Sequence, residues 1–466
     1  MLLMLKAIYS SVLSCVKINA NTNMSDFFDV TLGLKQGEPL SPLLFILFLN
    51  DIEQCIDLDN MTNSDLELLS KYLLLFADDI VLFTTDPLSL QAQVDNIYNY
   101  SHKWGLKINV NKTKVCVFES RRSVHNCRIN INGQVVENFT YLGVKFSYTG
   151  NFAEATKTLS DQGLRAYNTL LGVFDRINID IKTKLHLFDS MIVPILLYGS
   201  EIWGIYNCKN VDKLQIRFYK YILGVKKQTP NLAVYAELGK FPLSVLCKER
   251  ALKFWNKIVT NQQSPMYNVY IDQSVYGNDK CWAKRIHNTI NELGFSNVLR
   301  NFDLNPKFHL LFKQRIRDQF LQNWHDQVDN MSKLDYFKRF KTNFCFEEYL
   351  YTVKNDRLRK QLTCFRLGSH SLEIETGRYV GIARNERICK FCTLNVVESE
   401  FHFLLCCPLY SEIRRNYIKN SSFPTLNKFV SIMSSKNKHT VLQLSKFIDK
   451  AFTIRSNVSD TRNNIT

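Results

Sequence analysis

Between Tyr72 and Phe83 the string YLLLFADDIVLF sets two adjacent aspartates between short apolar, β-prone runs. Runs of this length and composition predict strand, turn, strand. A carboxylate held beside a core must be paired, hydrogen bonded or bound to a cation. Asp78 and Asp79 are therefore candidate ligands for a divalent metal, whose catalytic use in pairs needs carboxylates from more than one strand. Taken as a bare tripeptide, the same residues fit an exposed hairpin turn, where aspartate is common.

The flanking residues build a frame around this hairpin. Residues 6–18 read as the end of a helix running into a linker, and FFDVTL (27–32) as a strand. GLKQGEP interrupts the pattern before Ser41, a good N-cap, and Pro42, a good first helical residue. The following LLFILFLNDIEQCI is apolar on nearly every side, which predicts a buried helix. Asp86 and Pro87 open another helix through about Trp104, with Gly105 as its left-handed cap. KVCVF near Val115, then INGQVV and FTYLGVKF (residues 131–146), read as strands. From Asn151 the helical period dominates, and the polar SNVSDTRNNIT end is expected to be disordered.

A second constellation lies near the other end. Of 13 cysteines, Cys389, Cys392, Cys406 and Cys407 crowd together, with His402 among them. A C-x2-C knuckle followed by histidine and cysteine offers soft donors for tetrahedral Zn²⁺, through Cys389, Cys392, His402 and either Cys406 or Cys407. Buried thiols in a metal-free helical hairpin are the alternative. Scattered cysteines elsewhere read as small core residues.

Composition limits the partners. Lys and Arg number 59 against 43 Asp and Glu, a net charge of +16, which suits a phosphate-bearing partner. No apolar run approaches the ~18 residues needed to span a bilayer, and the opening MLLML lacks the basic flank of a signal peptide. The expectation is an unsecreted chain, nuclear or cytoplasmic, without a membrane partner. Basic and aromatic residues interleave between Leu310 and Arg378. Within that stretch and its surroundings, Lys338, Arg339, Arg357 and Arg359 are expected to attract phosphates, with stacking by aromatic neighbours.

Several motifs together resemble the reverse transcriptases of non-LTR retrotransposons. FADDIVLF resembles their catalytic palm hairpin, and GLKQGEPLSPLLFILFLNDIE the preceding loop and helix. GLKINVNKTKVCVF is similar to the last palm element, FTYLGVKF to the primer-gripping hairpin, and IVPILLYGSEIWG to a thumb signature. CKFCTLNVVESEFHFLLCCPLY resembles a zinc-binding segment that follows the thumb. The resemblance favours Cys407 over Cys406 as the fourth ligand, because the last cysteine there precedes proline.

The resemblance implies an α+β fold: a partial right-hand palm of antiparallel sheet and helices, a mostly helical thumb and C-terminal region, and a small zinc module. The implied divisions are 1–119 palm, 120–260 primer grip and thumb, 261–383 basic helical region, 384–430 zinc module, and 431–466 terminal helix and tail. It implies RNA-directed DNA synthesis with Mg²⁺ or Mn²⁺ on Asp78 and Asp79. Gln36 and Gly37 would lie beside the incoming nucleotide and templating base, and Lys112 near the leaving pyrophosphate. Partners would be an RNA template, a DNA primer or target, and deoxynucleoside triphosphates. The family's further metal-binding aspartate, in an FDS-like strand, has no counterpart between Met1 and Lys35, where Asp26 and Asp29 sit in a different strand. The expectation is a chain that starts inside the palm, lacks the fingers and has little polymerase activity alone. A non-catalytic nucleic-acid-binding remnant is the alternative.

Overall fold

The computed structural model describes residues 2–17, 24–31, 33–35, 37–55, 73–84, 86–118, 134–135, 138–301, 308–418 and 423–463. The chain divides into two compact units, Met1–Val115 with Arg122–Val136, and Cys116–Arg121 with Glu137–Thr466. The fold class is α+β.

In the first unit, α1 (Leu2–Tyr9) leads into β1 (Leu13–Ser14), which pairs antiparallel with β2 (Phe28–Asp29). The stretch expected to be a linker thus contains a short strand, because Phe28 and Asp29 give it a partner. α2 (Ser41–Phe48) begins beside Pro42, but Ser41 does not cap it. Its hydroxyl donates to the Lys35 carbonyl at 2.6 Å instead, and the first helical bond runs from Leu44 N–H to Leu40. The next two strands, β3 (Leu73–Phe76) and β4 (Asp79–Leu82), pair antiparallel as a hairpin.

α2 is also less buried than its composition predicts, with Ile46 and Leu47 both 61% exposed. The described core of this unit is small: Leu49, Ile52, Ile97 and Tyr100, flanked by Phe45, Leu73 and Leu82 among others. Among the described residues, Phe45 of α2 and Leu49 just past its end are the ones that meet packing partners in this core. Those partners come from α3 (Pro87–Lys103), where Tyr100 donates to Asp51 at 2.6 Å. Asp86 caps α3 as expected, accepting from Ser89 N–H at 2.8 Å, and Gly105 closes it at φ 67°. Lys114–Val115 (β5) pairs parallel with Gln134–Val135 (β6).

The second unit opens on the hairpin β7 (Asn138–Tyr141) and β8 (Val144–Ser147), so FTYLGVKF makes two strands. Leu142 and Gly143 form its two-residue loop, both at positive φ, as a type I′ turn requires. Helices follow: α4 (Ala153–Arg176), α5 (Ile181–Met191), α6 (Lys209–Leu223), α7 (Asn231–Leu238) and α8 (Leu243–Thr260). Further along lie α9 (Asp356–Arg366) and α10 (Lys438–Asn463).

One continuous core joins these helices to the cysteine-rich segment and to α10, through Phe218, Trp324, Phe365, Phe403 and Phe447. A second core gathers around Trp255, Tyr270, Ile286 and Phe312. The polar stretch expected to be disordered continues α10 as far as Asn463. Buried Phe447, Ile448 and Ala451 anchor that helix, and Arg455 extends the anchorage by pairing with Glu398.

Candidate functional site

The aspartate pair sits where the alternation of the sequence puts it. In the β3–β4 hairpin Phe76 lies opposite Asp79, with Ala77–Asp78 as the loop. Positive φ at the first loop residue alone is the II′ pattern, which glycine normally supplies; Ala77 adopts it at φ 52°. A side chain there costs roughly 1–2 kcal/mol. Ala77→Gly is therefore expected to stabilise this unit by about 1 kcal/mol in urea denaturation, and a destabilised variant would rule the strain out.

Asp78 and Asp79 are both exposed. Among the described residues, no third acidic, histidine or cysteine side chain joins them in a metal-binding group. Gly37 adopts φ 91°, and a Cβ added there would meet no atom within 4 Å, so backbone conformation and not crowding requires glycine. Gln36 lies outside the described residues. Lys112 occupies an exposed turn, its N–H donating to the Asn109 carbonyl at 3.0 Å. Sequence reasoning did not single out Glu38, which ties the glycine loop to α1. It pairs with Lys35 at 3.3 Å and accepts from the Tyr9 hydroxyl at 3.3 Å.

In the second unit two of the sequence motifs prove to be one structure. Tyr198, from LLYGSEIWG, donates its hydroxyl to the Leu142 carbonyl at 2.7 Å, closing the turn of the β7–β8 hairpin. The Tyr198 ring lies 3.3 Å from where a Cβ on Gly143 would be, and buried Trp203 donates to the Tyr198 carbonyl at 2.8 Å. The glycine of YLG thus serves both positive φ and a close aromatic approach.

The strongest convergence of donors is Cys389, Cys392, His402 and Cys407, whose ligand atoms all lie within 4.8 Å of one another. Cys406 stands outside the group. Cys389 and Cys392 lie on a hairpin in which Cys389 N–H donates to Val396 at 2.9 Å and Asn395 takes φ 51°. His402 and Cys407 are brought together by a π-helical turn, His402–Cys406, closed by Cys407 N–H donating to the His402 carbonyl at 2.8 Å. A turn spanning five residues sets position i+5 back over i, which an α-helix does not.

A tetrahedral zinc with Zn–S bonds of about 2.3 Å needs donor atoms roughly 3.8 Å apart, so the set fits such an ion. His402 Nε2 faces Cys392 Sγ at 3.5 Å, while Nδ1 is buried without a hydrogen-bond partner. Cys389 donates to Cys407 and is buried, which pushes its thiol up to about 12; the same bond pulls Cys407 below its ordinary value. Of the two thiols, Cys407 is thereby the readier to lose its proton to an arriving cation.

Residues that sequence reasoning missed hold this cluster in place. Buried Arg414 donates to the carbonyls of Leu404 and Cys407, both at 2.8 Å, satisfying the end of the π turn. Glu398 is buried and accepts from Nε and Nη2 of Arg455, at 3.0 and 2.8 Å, and from the Glu373 N–H at 2.7 Å. Their spacing gave no signal: Arg414 meets backbone carbonyls, which carry no side-chain pattern, and the partners of Glu398 lie 25 and 57 positions away.

The basic and aromatic region differs from expectation. Phe337, Phe340 and Phe365 are buried core and cannot stack on bases. Arg359 is buried against Asp356 and the Val353 carbonyl. Lys338 and Arg339 approach Asp335 at 3.8 and 3.7 Å, and Arg357 pairs with Asp449 at 2.8 Å. The interleaving reflects amphipathic packing with internal ion pairs.

Residues 4–146 match the family described as reverse transcriptase (RNA-dependent DNA polymerase). The chain is similar to the RNA-directed DNA polymerase from mobile element jockey of Drosophila melanogaster, at 22% identity over 40% of this chain and 21% of that relative. The jockey polymerase of Drosophila funebris matches at 24%, over 40% of this chain and 20% of its own length. A Pol polyprotein from the type-1 retrotransposable element R2 of Popillia japonica matches at 25%, over 44% and 30% respectively. The chain spans about a fifth of the length of the first relatives it matches. No helix among the described residues is long and apolar enough to cross a membrane.

Proposed function

We propose, for a chain whose residues 4–146 match the reverse transcriptase family and which is similar to polymerases of mobile elements, that it is an RNA-directed DNA polymerase of the non-LTR retrotransposon kind by descent, with little or no activity as it stands. Asp78 and Asp79 would hold Mg²⁺ or Mn²⁺, which when bound activates the primer hydroxyl and steadies the departing pyrophosphate. Gln36 and Gly37 would border the nucleotide and template, and Lys112 would lie near the pyrophosphate. RNA template, DNA primer or target, and deoxynucleoside triphosphates would be its partners, in a nuclear or cytoplasmic setting that keeps thiols reduced.

The observation that carries low activity is the lack of a third ligand beside the pair among the described residues. Members of a metal cage act together, so an incomplete one loses orders of magnitude in rate. Purified chain with Mg²⁺, primed RNA template and nucleotides is expected to extend primers no faster than an Asp78→Ala variant. Robust extension by the wild type, abolished in that variant, would overturn this reading.

Cys389, Cys392, His402 and Cys407 would bind Zn²⁺ in a structural role, since all four positions of a tetrahedron are filled by protein and none is left for substrate. A second reading, a non-catalytic nucleic-acid-binding protein, is favoured by the same contrast between a full donor set and a carboxylate pair that no third ligand joins among the described residues.

A further inference from the structure

We propose that the outward face of α6 is a phosphate-binding track for nucleic acid, formed by Lys209, Lys213, Arg217 and Lys220. The proposal rests on the reading of this chain as a nucleic-acid-handling protein, but not on a working carboxylate pair. The residues are spaced by four, four and three, which places them on one side of a helix. The opposite side, with Val211, Leu214, Phe218 and Ile222, is buried in the core. The first three cations are exposed and Lys220 is half-buried.

What distinguishes this face is the absence of internal neutralisation. The acid of α6, Asp212, is turned to the Ser244 N–H, which donates to it at 2.9 Å. None of the four cations forms an ion pair among the described residues. Their other contacts steady them without cancelling charge. Arg217 lies over the Tyr167 ring at 5.7 Å, and Lys220 Nζ donates to the Lys227 carbonyl at 2.7 Å. By contrast Lys338, Arg339, Arg357 and Arg359, in the region that looked basic by sequence, all face carboxylates.

Like charges at i,i+4 cost a helix about 0.2–0.5 kcal/mol per pair. A polyanion laid along the face relieves that repulsion over about 16 Å of helix, at 1.5 Å per residue. A membrane is disfavoured as the partner, since an interfacial helix needs its apolar face free and this one is packed away.

The test uses the full chain and compares wild type with a Lys209→Glu, Lys213→Glu, Arg217→Glu variant. Binding to a labelled RNA of random sequence is titrated between 50 and 200 mM salt. Removing three phosphate contacts is expected to make the variant's affinity fall about 20- to 40-fold less across that range than the wild type's. Arg339→Gln should leave the salt dependence unchanged. A triple glutamine variant, with near-ultraviolet circular dichroism, separates lost charge from lost fold. An unchanged salt dependence in a folded variant would overturn the track while leaving nucleic-acid binding intact. Wild type that binds no RNA at 50 mM salt would overturn both, and tighter binding to phosphatidylserine vesicles than to RNA would overturn the choice of partner.

Discussion

Cys407→Ala is expected to destabilise the second unit by at least about 3 kcal/mol and to abolish stoichiometric zinc, whereas Cys406→Ala should cost under about 1 kcal/mol and retain it. Structural zinc contributes on the order of 10 kcal/mol in small zinc domains, so loss of one of four ligands is a large fraction of a domain's stability. Cys407 is fully buried beside Cys389, while Cys406 is outside the donor group. Mass spectrometry of the native protein reads the metal, and urea denaturation reads the stability. Equal effects of the two substitutions would sink the assignment.

Chelation should reach further than the cysteine-rich segment. Phe403 packs on Phe447 at 6.2 Å and on Phe452 at 4.7 Å between ring centres, so the π turn and α10 share a core. Hydrogen exchange after chelation is expected to lose protection in residues 388–418 and along α10 together. Loss confined to the knuckle would show that α10 holds without the cluster.

Arg366→Met is the second large effect expected, at about 3–5 kcal/mol, because removing one partner leaves buried charge uncompensated. Arg366, on α9, meets Glu237 of α7 at 2.5 Å, Glu347 at 3.0 Å and the Met433 carbonyl at 2.5 Å. Its guanidinium also lies over the rings of Phe340 and Tyr349, at 4.7 and 4.8 Å. Burial alone would lower its proton affinity, but the two carboxylates hold it above the ordinary arginine value. Glu237→Gln should cost less, about 1–3 kcal/mol, since an amide oxygen still accepts from Arg366. Urea denaturation gives both values, and a loss below about 1 kcal/mol for Arg366→Met would show that the pocket rehydrates.

Much of the local structure was legible because its causes are local. Asp86, Pro87 and Gly105 marked both ends of α3 through cap chemistry that acts within a few residues. The alternation around Asp78 and Asp79 gave the hairpin, and the knuckle pointed to the donor set. The α2 expectation failed for the opposite reason. Apolar composition states what a helix would bury, not whether described neighbours arrive to bury it, and Ile46 and Leu47 remain exposed.

The aspartate pair marks the same boundary. Sequence alone determined that Asp78 and Asp79 lie at the tip of a β-hairpin, since strand period and turn length are set by neighbouring residues. The residue types and their spacing left Cys406 and Cys407 open and the resemblance favoured Cys407; tertiary structure supplied the physical reason, because a π turn sets which sulfur points inward. Tertiary structure alone decided which cations are spent in internal pairs and which stand free on α6. Charge pairing depends on distance in space, and the carboxylates that neutralise Arg357 and Arg366 come from residues 92 and 129 positions away.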